Sequence, residues 1–207
     1  MGQQARRGPG VSGWNGYSLS ELAVAMAILG VVAAAAADGL GEMVPAMRTE
    51  RAVRGIGGLM EWARWSALRE GVPFRVVLAS SENQVRVYRV STSGGVETQE
   101  QVRVLNIGAE YPGVVLGAAR SVPRTSGCSP VDPSGVQFVH ASVRFLPSGT
   151  SDRCGSLYLI PRRDLPERAD RMRALSLILA TGRVRLWAYD PLAPSSCTGG
   201  GAWRPLF

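Results

Sequence analysis

The stretch that most constrains this chain is an apolar run, Ala23–Ala37, with a lone acid, Glu21, just ahead of it. From Tyr17 to Ala37 a helix would extend roughly 31 Å at 1.5 Å per residue, enough to cross the hydrocarbon core of a bilayer. The expectation is a membrane-spanning half of a helix over about residues 17–40. A carboxylate near that core costs about 2.5–3.5 kcal/mol on insertion scales, so Glu21 needs a partner or a purpose. Arg6 and Arg7 precede the run and no acid accompanies them. That asymmetry predicts a cytoplasmic N-terminus and an exported remainder. A plain secretory signal is the competing reading, with a cut in the Ala-rich end. It does not account for an acid where apolar residues are wanted.

Beyond the run, helical spacing continues to Glu70. Ile56, Leu59, Met60, Ala63 and Ala67 form one apolar face, while Arg48, Arg51, Arg54, Arg64 and Arg69 mark the wet side. Asp38-Gly39 and Pro45 are expected to bend the helix. Gly71 and then Pro73 stop it. The period then changes to two. Strands are expected at 74–79, 85–90, 102–107, 114–116, 136–139, 143–146, 156–160, 175–180 and 184–188. Residues 120–134 read as loop, and 190–207 as an irregular tail rich in Pro, Gly and Ser. A long helix followed only by strands is an α+β pattern, with the helix laid on an antiparallel sheet. The expected divisions are 1–16, 17–70, 71–189 and 190–207.

All 23 basic residues are Arg. Residues 17–119 hold nine Arg and ten acids, and residues 120–207 hold twelve Arg and six acids, so the basic excess is C-terminal. Arg183 and Arg185 alternate on one predicted strand, a spacing that suits phosphate contacts. Trp187 shares their parity and is a candidate to stack on a base. Arg162, Arg163, Arg168, Arg171 and Arg173 would widen that patch. The bland alternative is a solvated strand face balanced by Asp164, Glu167 and Asp170. The single histidine, His140, leaves no His-based triad or metal cluster, so neither enzyme chemistry nor a metal or other cofactor is expected. Three cysteines permit one intrachain pair in an oxidising compartment. Cys128 and Cys154 flank two predicted strands and are the expected pair, with Cys197 free; Cys154 with Cys197 is the rival.

The order Gly16-Tyr17-Ser18-Leu19-Ser20-Glu21 before the apolar run resembles the N-terminus of type IV pilins and type II secretion pseudopilins. Three further stretches resemble the GspH/FimT family of minor pseudopilins and pilins. They are Ala63-Arg64-Trp65-Ser66-Ala67, Phe145-Leu146-Pro147-Ser148-Gly149 and Gly182-Arg183-Val184-Arg185. The chain departs from the pattern at Tyr17, where Phe is usual, and at Ser20, where an aliphatic residue is usual. The 120–134 loop and the tail have no counterpart in the resemblance.

The resemblance implies removal of a leader, Met1–Gly16, by prepilin peptidase and methylation of Tyr17. It gives Glu21 the task of pairing with the new N-terminal amine, within the helix or between subunits, and gives Gly30 a place in close helix packing. It implies a non-catalytic subunit anchored once in the bacterial inner membrane before joining a periplasmic or extracellular fibre. Its partners would be other pilins or pseudopilins and the inner-membrane assembly platform. Two roles stay open: a structural subunit near the tip of the type II secretion pseudopilus, or a minor pilin that binds double-stranded DNA through Arg183 and Arg185.

Overall fold

The computed structural model describes residues 18–194, 197 and 201–206, without the side chains of 36–40. The chain divides into two compact units, Met1–Gly41 and Glu42–Phe207. Leu19–Glu70 is helical (α1) and contributes to both. The helical assignment runs through Asp38-Gly39 and Pro45, the expected weak points. In the first unit Leu19, Leu22, Val24, Met26, Ile28, Leu29, Val31 and Val32 are all exposed. Among the described residues no helix is long and apolar enough to cross a membrane. The last two residues of the apolar run, at 36 and 37, lie outside the described side chains.

In the second unit the helix presents Ala52, Val53, Ile56, Met60, Ala63 and Ala67 to a core that excludes water from all of them. Their three- and four-residue spacing gives one continuous stripe. The face expected from the sequence is thus present and extends one turn earlier, to Ala52 and Val53. Gly55 has a packing reason: a Cβ there would collide with the Tyr111 hydroxyl. The loss of helix propensity at Gly55 is therefore offset by close approach of a ring to the helix.

Two antiparallel sheets complete the unit. Strands β1 (Phe74–Ala79), β2 (Gln84–Ser93), β3 (Val96–Asn106) and β5 (Ser142–Phe145) form a four-stranded sheet in the order β3-β2-β1-β5. Strands β4 (Val114–Leu116), β6 (Gly155–Pro161), β7 (Arg173–Ile178), β8 (Arg183–Asp190) and β9 (Ala202–Pro205) form a five-stranded sheet in the order β4-β6-β7-β8-β9. A single helical turn, α2 (Ile107–Glu110), lies between β3 and β4 and is capped by the Asn106 side chain. Residues 102–107, expected as one strand, therefore divide between β3 and α2. Residues 136–139 make no strand; Val136 forms an isolated bridge to Leu157 and a 3-10 turn begins at Val139.

Strand β6 is buried on both faces. Leu157 and Leu159 join the core under the helix, while Tyr158 and Ile160 join a second cluster with Ala119, Val122, Val131, Met172 and Tyr189. Successive side chains of a strand point to opposite faces, so the run Leu157-Tyr158-Leu159-Ile160 serves two cores. The second core is roofed by the 120–134 loop and the tail. Trp203 on β9 donates its indole N–H to the Pro123 carbonyl and packs against Tyr158 and Tyr189. The tail is therefore not wholly irregular, as its composition suggested: β9 pairs with β8 from Trp187↔Pro205 to Asp190↔Ala202.

Candidate functional site

The expected processing site, Gly16 and Tyr17, lies outside the described residues. The helix start that follows is a capping box. The Ser18 hydroxyl accepts from the Glu21 N–H at 3.2 Å, and the Glu21 carboxylate accepts from the Ser18 N–H at 2.8 Å. Two backbone donors at the helix end are thereby satisfied reciprocally. The Ser-x-x-Glu spacing, Ser18 to Glu21, carries this signal in the sequence. Glu21 thus has a partner within its own chain and stays exposed. Among the described residues no atom lies within 4 Å of where a Cβ on Gly30 would sit, so none of them packs on that glycine.

In the second unit three sequence-distant stretches meet at one point. The Arg64 Nε–H donates to the Gly149 carbonyl at 2.8 Å. A Cβ on Gly182 would fall 2.5 Å from that same oxygen and 3.1 Å from Arg64 Cδ. Gly182 also has φ of +59°, a left-handed conformation that favours glycine. Next to it, the Glu61 carboxylate accepts from the Val184 N–H at 3.1 Å. The three stretches that carry the GspH/FimT resemblance thus hold the helix end to the β7–β8 hairpin. Arg64 is half-buried there, not on the wet side as expected.

Arg183 and Arg185 are both exposed on β8, and among the described residues neither forms an ion pair. Trp187 is less available than its parity suggested. It is half-buried and its indole N–H donates to the Ser176 hydroxyl at 2.8 Å. An exposed ring does lie beside Arg183: Trp65, 62% exposed, lines a shallow depression with it.

The expected widening of the basic patch does not occur. Arg171 is buried and grips the buried Asp164 with two bonds of 2.8 and 2.6 Å, and reaches Glu42 at 3.2 Å. Arg168 pairs with Glu42 at 2.8 Å and with Asp170 at 2.7 Å. Arg163 stands 3.9 Å from both Glu42 and Asp164. Arg173 is half-buried against the Asp170 and Met172 carbonyls. Burial lowers its pKa. Arg162 remains exposed and lines a pocket with Pro45, Arg48 and Pro161. Asp164 and Asp170, named as neighbours of Arg183 and Arg185, are therefore engaged elsewhere, and the third such acid, Glu167, stands 3.8 Å from Arg120. The hydrogen bond from Arg168, assisted by the charges of Arg171 and Arg163, holds the Glu42 carboxyl below its ordinary range.

The disulfide joins Cys128 to Cys197, with Cα atoms 5.1 Å apart. Cys154 is free and exposed. This corrects both expected pairings, Cys128–Cys154 and Cys154–Cys197. The reason is topological: loop and tail roof one face of the second sheet together and meet there, while Cys154 opens the entry to β6. Among the described residues no cluster suited to a metal ion is present.

Comparison with known proteins gives one family model, the prokaryotic N-terminal methylation motif, over residues 15–37. No curated protein matches the chain. Among solved structures the chain is similar to the minor pseudopilin EpsH from the type 2 secretion system of Vibrio cholerae. One EpsH structure gives 14% identity over 68% of this chain and 97% of that one, with a TM-score of 0.46. A second gives 13% identity over 67% and 92%, with a TM-score of 0.46. The type IV minor pilin FimU of Pseudomonas aeruginosa gives 15% identity over 67% and 87%, with a TM-score of 0.44. At such identities and scores these likenesses transfer no function. The motif itself implies processing by prepilin peptidase and assembly with other pilins. The chain is type IV pilin-like: it carries the prokaryotic N-terminal methylation motif, and its α+β fold sets a long helix on antiparallel sheet.

Proposed function

We propose that this protein is a minor pseudopilin, a non-catalytic subunit near the tip of the type II secretion pseudopilus. The observation that carries the reading is the methylation motif over residues 15–37, which takes in the start of a helix whose apolar side chains from Leu19 to Val32 are exposed all round. Such a surface is stable in water only when covered by lipid or by other helices. In this reading the first unit lies in the inner membrane before assembly and in the fibre core after it. Glu21 exchanges its capping bond for the methylated amine of Tyr17 on its own or a neighbouring subunit. A subunit out of step would leave that carboxylate buried and unpaired, which fixes axial position. Deleting the gene in its natural host and measuring export of the secreted proteins tests the reading. Loss of export, restored by the wild-type chain and not by one lacking residues 17–37, is expected. Unimpaired export contradicts it.

A second reading is favoured by one observation: Arg183 and Arg185 are exposed and, among the described residues, take part in no ion pair. Under it the protein is a type IV pilus minor pilin that binds duplex DNA during natural transformation. Gel shifts at two salt concentrations separate the readings. A DNA binder loses affinity steeply with salt, and Arg183→Ala with Arg185→Ala lowers the log–log slope by roughly two.

A further inference from the structure

The 120–134 loop does more than roof the second core. Beside it the outer face of the five-stranded sheet stays open as a groove of about 490 Å³. Its floor is set by strand pairing. Ser156 lies opposite Ser176, and Ser176 opposite Arg185, so two hydroxyls and a guanidinium line up across β6, β7 and β8. Its wall is the loop, fixed by the Thr125 hydroxyl on the Ser156 hydroxyl at 2.9 Å and by the Thr125 N–H on the Tyr158 hydroxyl at 3.0 Å. Arg124 stands on that wall, exposed.

Charge and hydrogen-bonding capacity in this groove point one way. Arg124 and Arg185 line it and no Asp or Glu does. The Gln137 carboxamide lines it too. Its Oε1 accepts from Tyr158, while its Nε2 is buried with no acceptor among the described residues. That amide nitrogen is closed off from the groove, so what the groove presents is two cations and the hydroxyls of its floor. The Cys128–Cys197 disulfide ties the wall to the tail, which makes the groove a fixed feature of the folded chain.

We propose that this groove docks an extended, acidic peptide segment of a partner protein. Carboxylates of the segment face Arg124 and Arg185, and its backbone carbonyls accept from the hydroxyls of the floor, Ser176 first, whose oxygen already accepts from Trp187 and whose hydrogen is left to donate. A peptide fits better than a nucleic acid duplex. One cation on the wall and one on the floor match the few carboxylates of a single extended chain, whereas a duplex needs many phosphate contacts spread over a broad face. This proposal does not rest on the fibre reading.

Cys154, the cysteine outside the disulfide, lines the same groove and serves as the reporter. The test uses the full-length protein in detergent micelles, a fluorescein-labelled hexaglutamate peptide as probe, and maleimide alkylation of Cys154. Peptide at ten times its Kd should slow alkylation about tenfold, as mass action requires. Arg124→Ala and Arg185→Ala should each weaken binding roughly tenfold, the value of one charge-assisted hydrogen bond. Arg120→Ala removes an equal charge from the same loop without lining the groove, and should leave binding unchanged. The proposal is overturned if Cys154 is not protected. It is also overturned if Arg120→Ala weakens binding as much as the groove variants, or if duplex DNA of equal charge protects Cys154 at lower concentration.

Discussion

Arg64 donates its Nε–H to the carbonyl of Gly149, 85 residues along the chain, at 2.8 Å. That bond, with Gly182 closing over the same oxygen, gives the motif around Gly182 an architectural task separate from its arginines. Gly182→Ala should destabilise the second unit by about 2 kcal/mol, because it combines a left-handed conformation with a collision against a backbone carbonyl. Arg64→Ala should cost about 1.5–3 kcal/mol through loss of a charge-assisted bond from a half-buried guanidinium to the carbonyl of buried Gly149. Arg183→Ala should change stability by no more than about 0.5 kcal/mol. Urea unfolding of the three variants checks all of these. Equal loss at Arg64 and Arg183 would contradict the assignment.

The disulfide gives a prediction of the same kind. Cys128 and Cys197 are separated by 69 residues, so their link removes much of the freedom of the unfolded chain. Cys128→Ser or Cys197→Ser should lower stability by about 2–4 kcal/mol and release the roof over Tyr158 and Tyr189. Cys154→Ser should do neither. Peptide mapping without reduction should recover Cys128 joined to Cys197, and thermal unfolding should rank the variants accordingly.

A third expectation concerns acid. The hydrogen bond from Arg168 holds Glu42 below its ordinary value of 4.5. Asp170 is also lowered: burial pushes it up, but the hydrogen bond and charge of Arg168 and the charge of Arg171 outweigh that. A carboxylate with a depressed folded pKa contributes stability that is present above its unfolded pKa and is lost as pH falls through the folded one. The contribution of these two carboxylates should therefore be constant above about pH 4.5 and decline below it. Glu42→Gln should shallow that decline and leave the neutral-pH fold intact, since Arg171 keeps its two bonds to Asp164. Acid titrations followed by circular dichroism measure this. An unchanged acid profile in Glu42→Gln would contradict the cluster's role.

What was legible in the sequence, and what was not, follows from the range of the interactions. The helical stripe through Ile56, Met60, Ala63 and Ala67 was readable because burial on one face imprints a 3.6-residue period. Strand β6 was readable as an apolar run. The tip of the β2–β3 hairpin was not: residues 91–98 are exposed there and carry no alternation, so backbone pairing and the Ser91–Thr98 hydroxyl contact, not burial, make the strands. Strand β9 was missed because its anchor is Trp203 on the Pro123 carbonyl, 80 residues away. The disulfide was misjudged for the same reason. In the candidate site, exposure of Arg183 and Arg185 followed from strand parity, yet the loss of Arg171 and Arg168 to Glu42 needed the helix to be brought beside the 162–173 turn. The Glu21 cap was local, Ser18-x-x-Glu21, and could have been read.

Glu21 supplies a fourth prediction. Its capping bond is worth about 0.5–2 kcal/mol to the helix start and nothing to the second unit. Glu21→Ala should leave the second unit's melting unchanged and yet reduce incorporation into the fibre, as scored by blotting sheared fibres. Normal incorporation would contradict the pairing assigned to it.

The most direct test of the central reading is the mass of the mature N-terminus, taken from membranes of cells that carry prepilin peptidase. A pilin-type subunit should begin at Tyr17 with one added methyl group, and should keep its leader in cells without the peptidase. A chain that begins after Ala35 or Ala37, or one that keeps residues 1–16 in both strains, would contradict it.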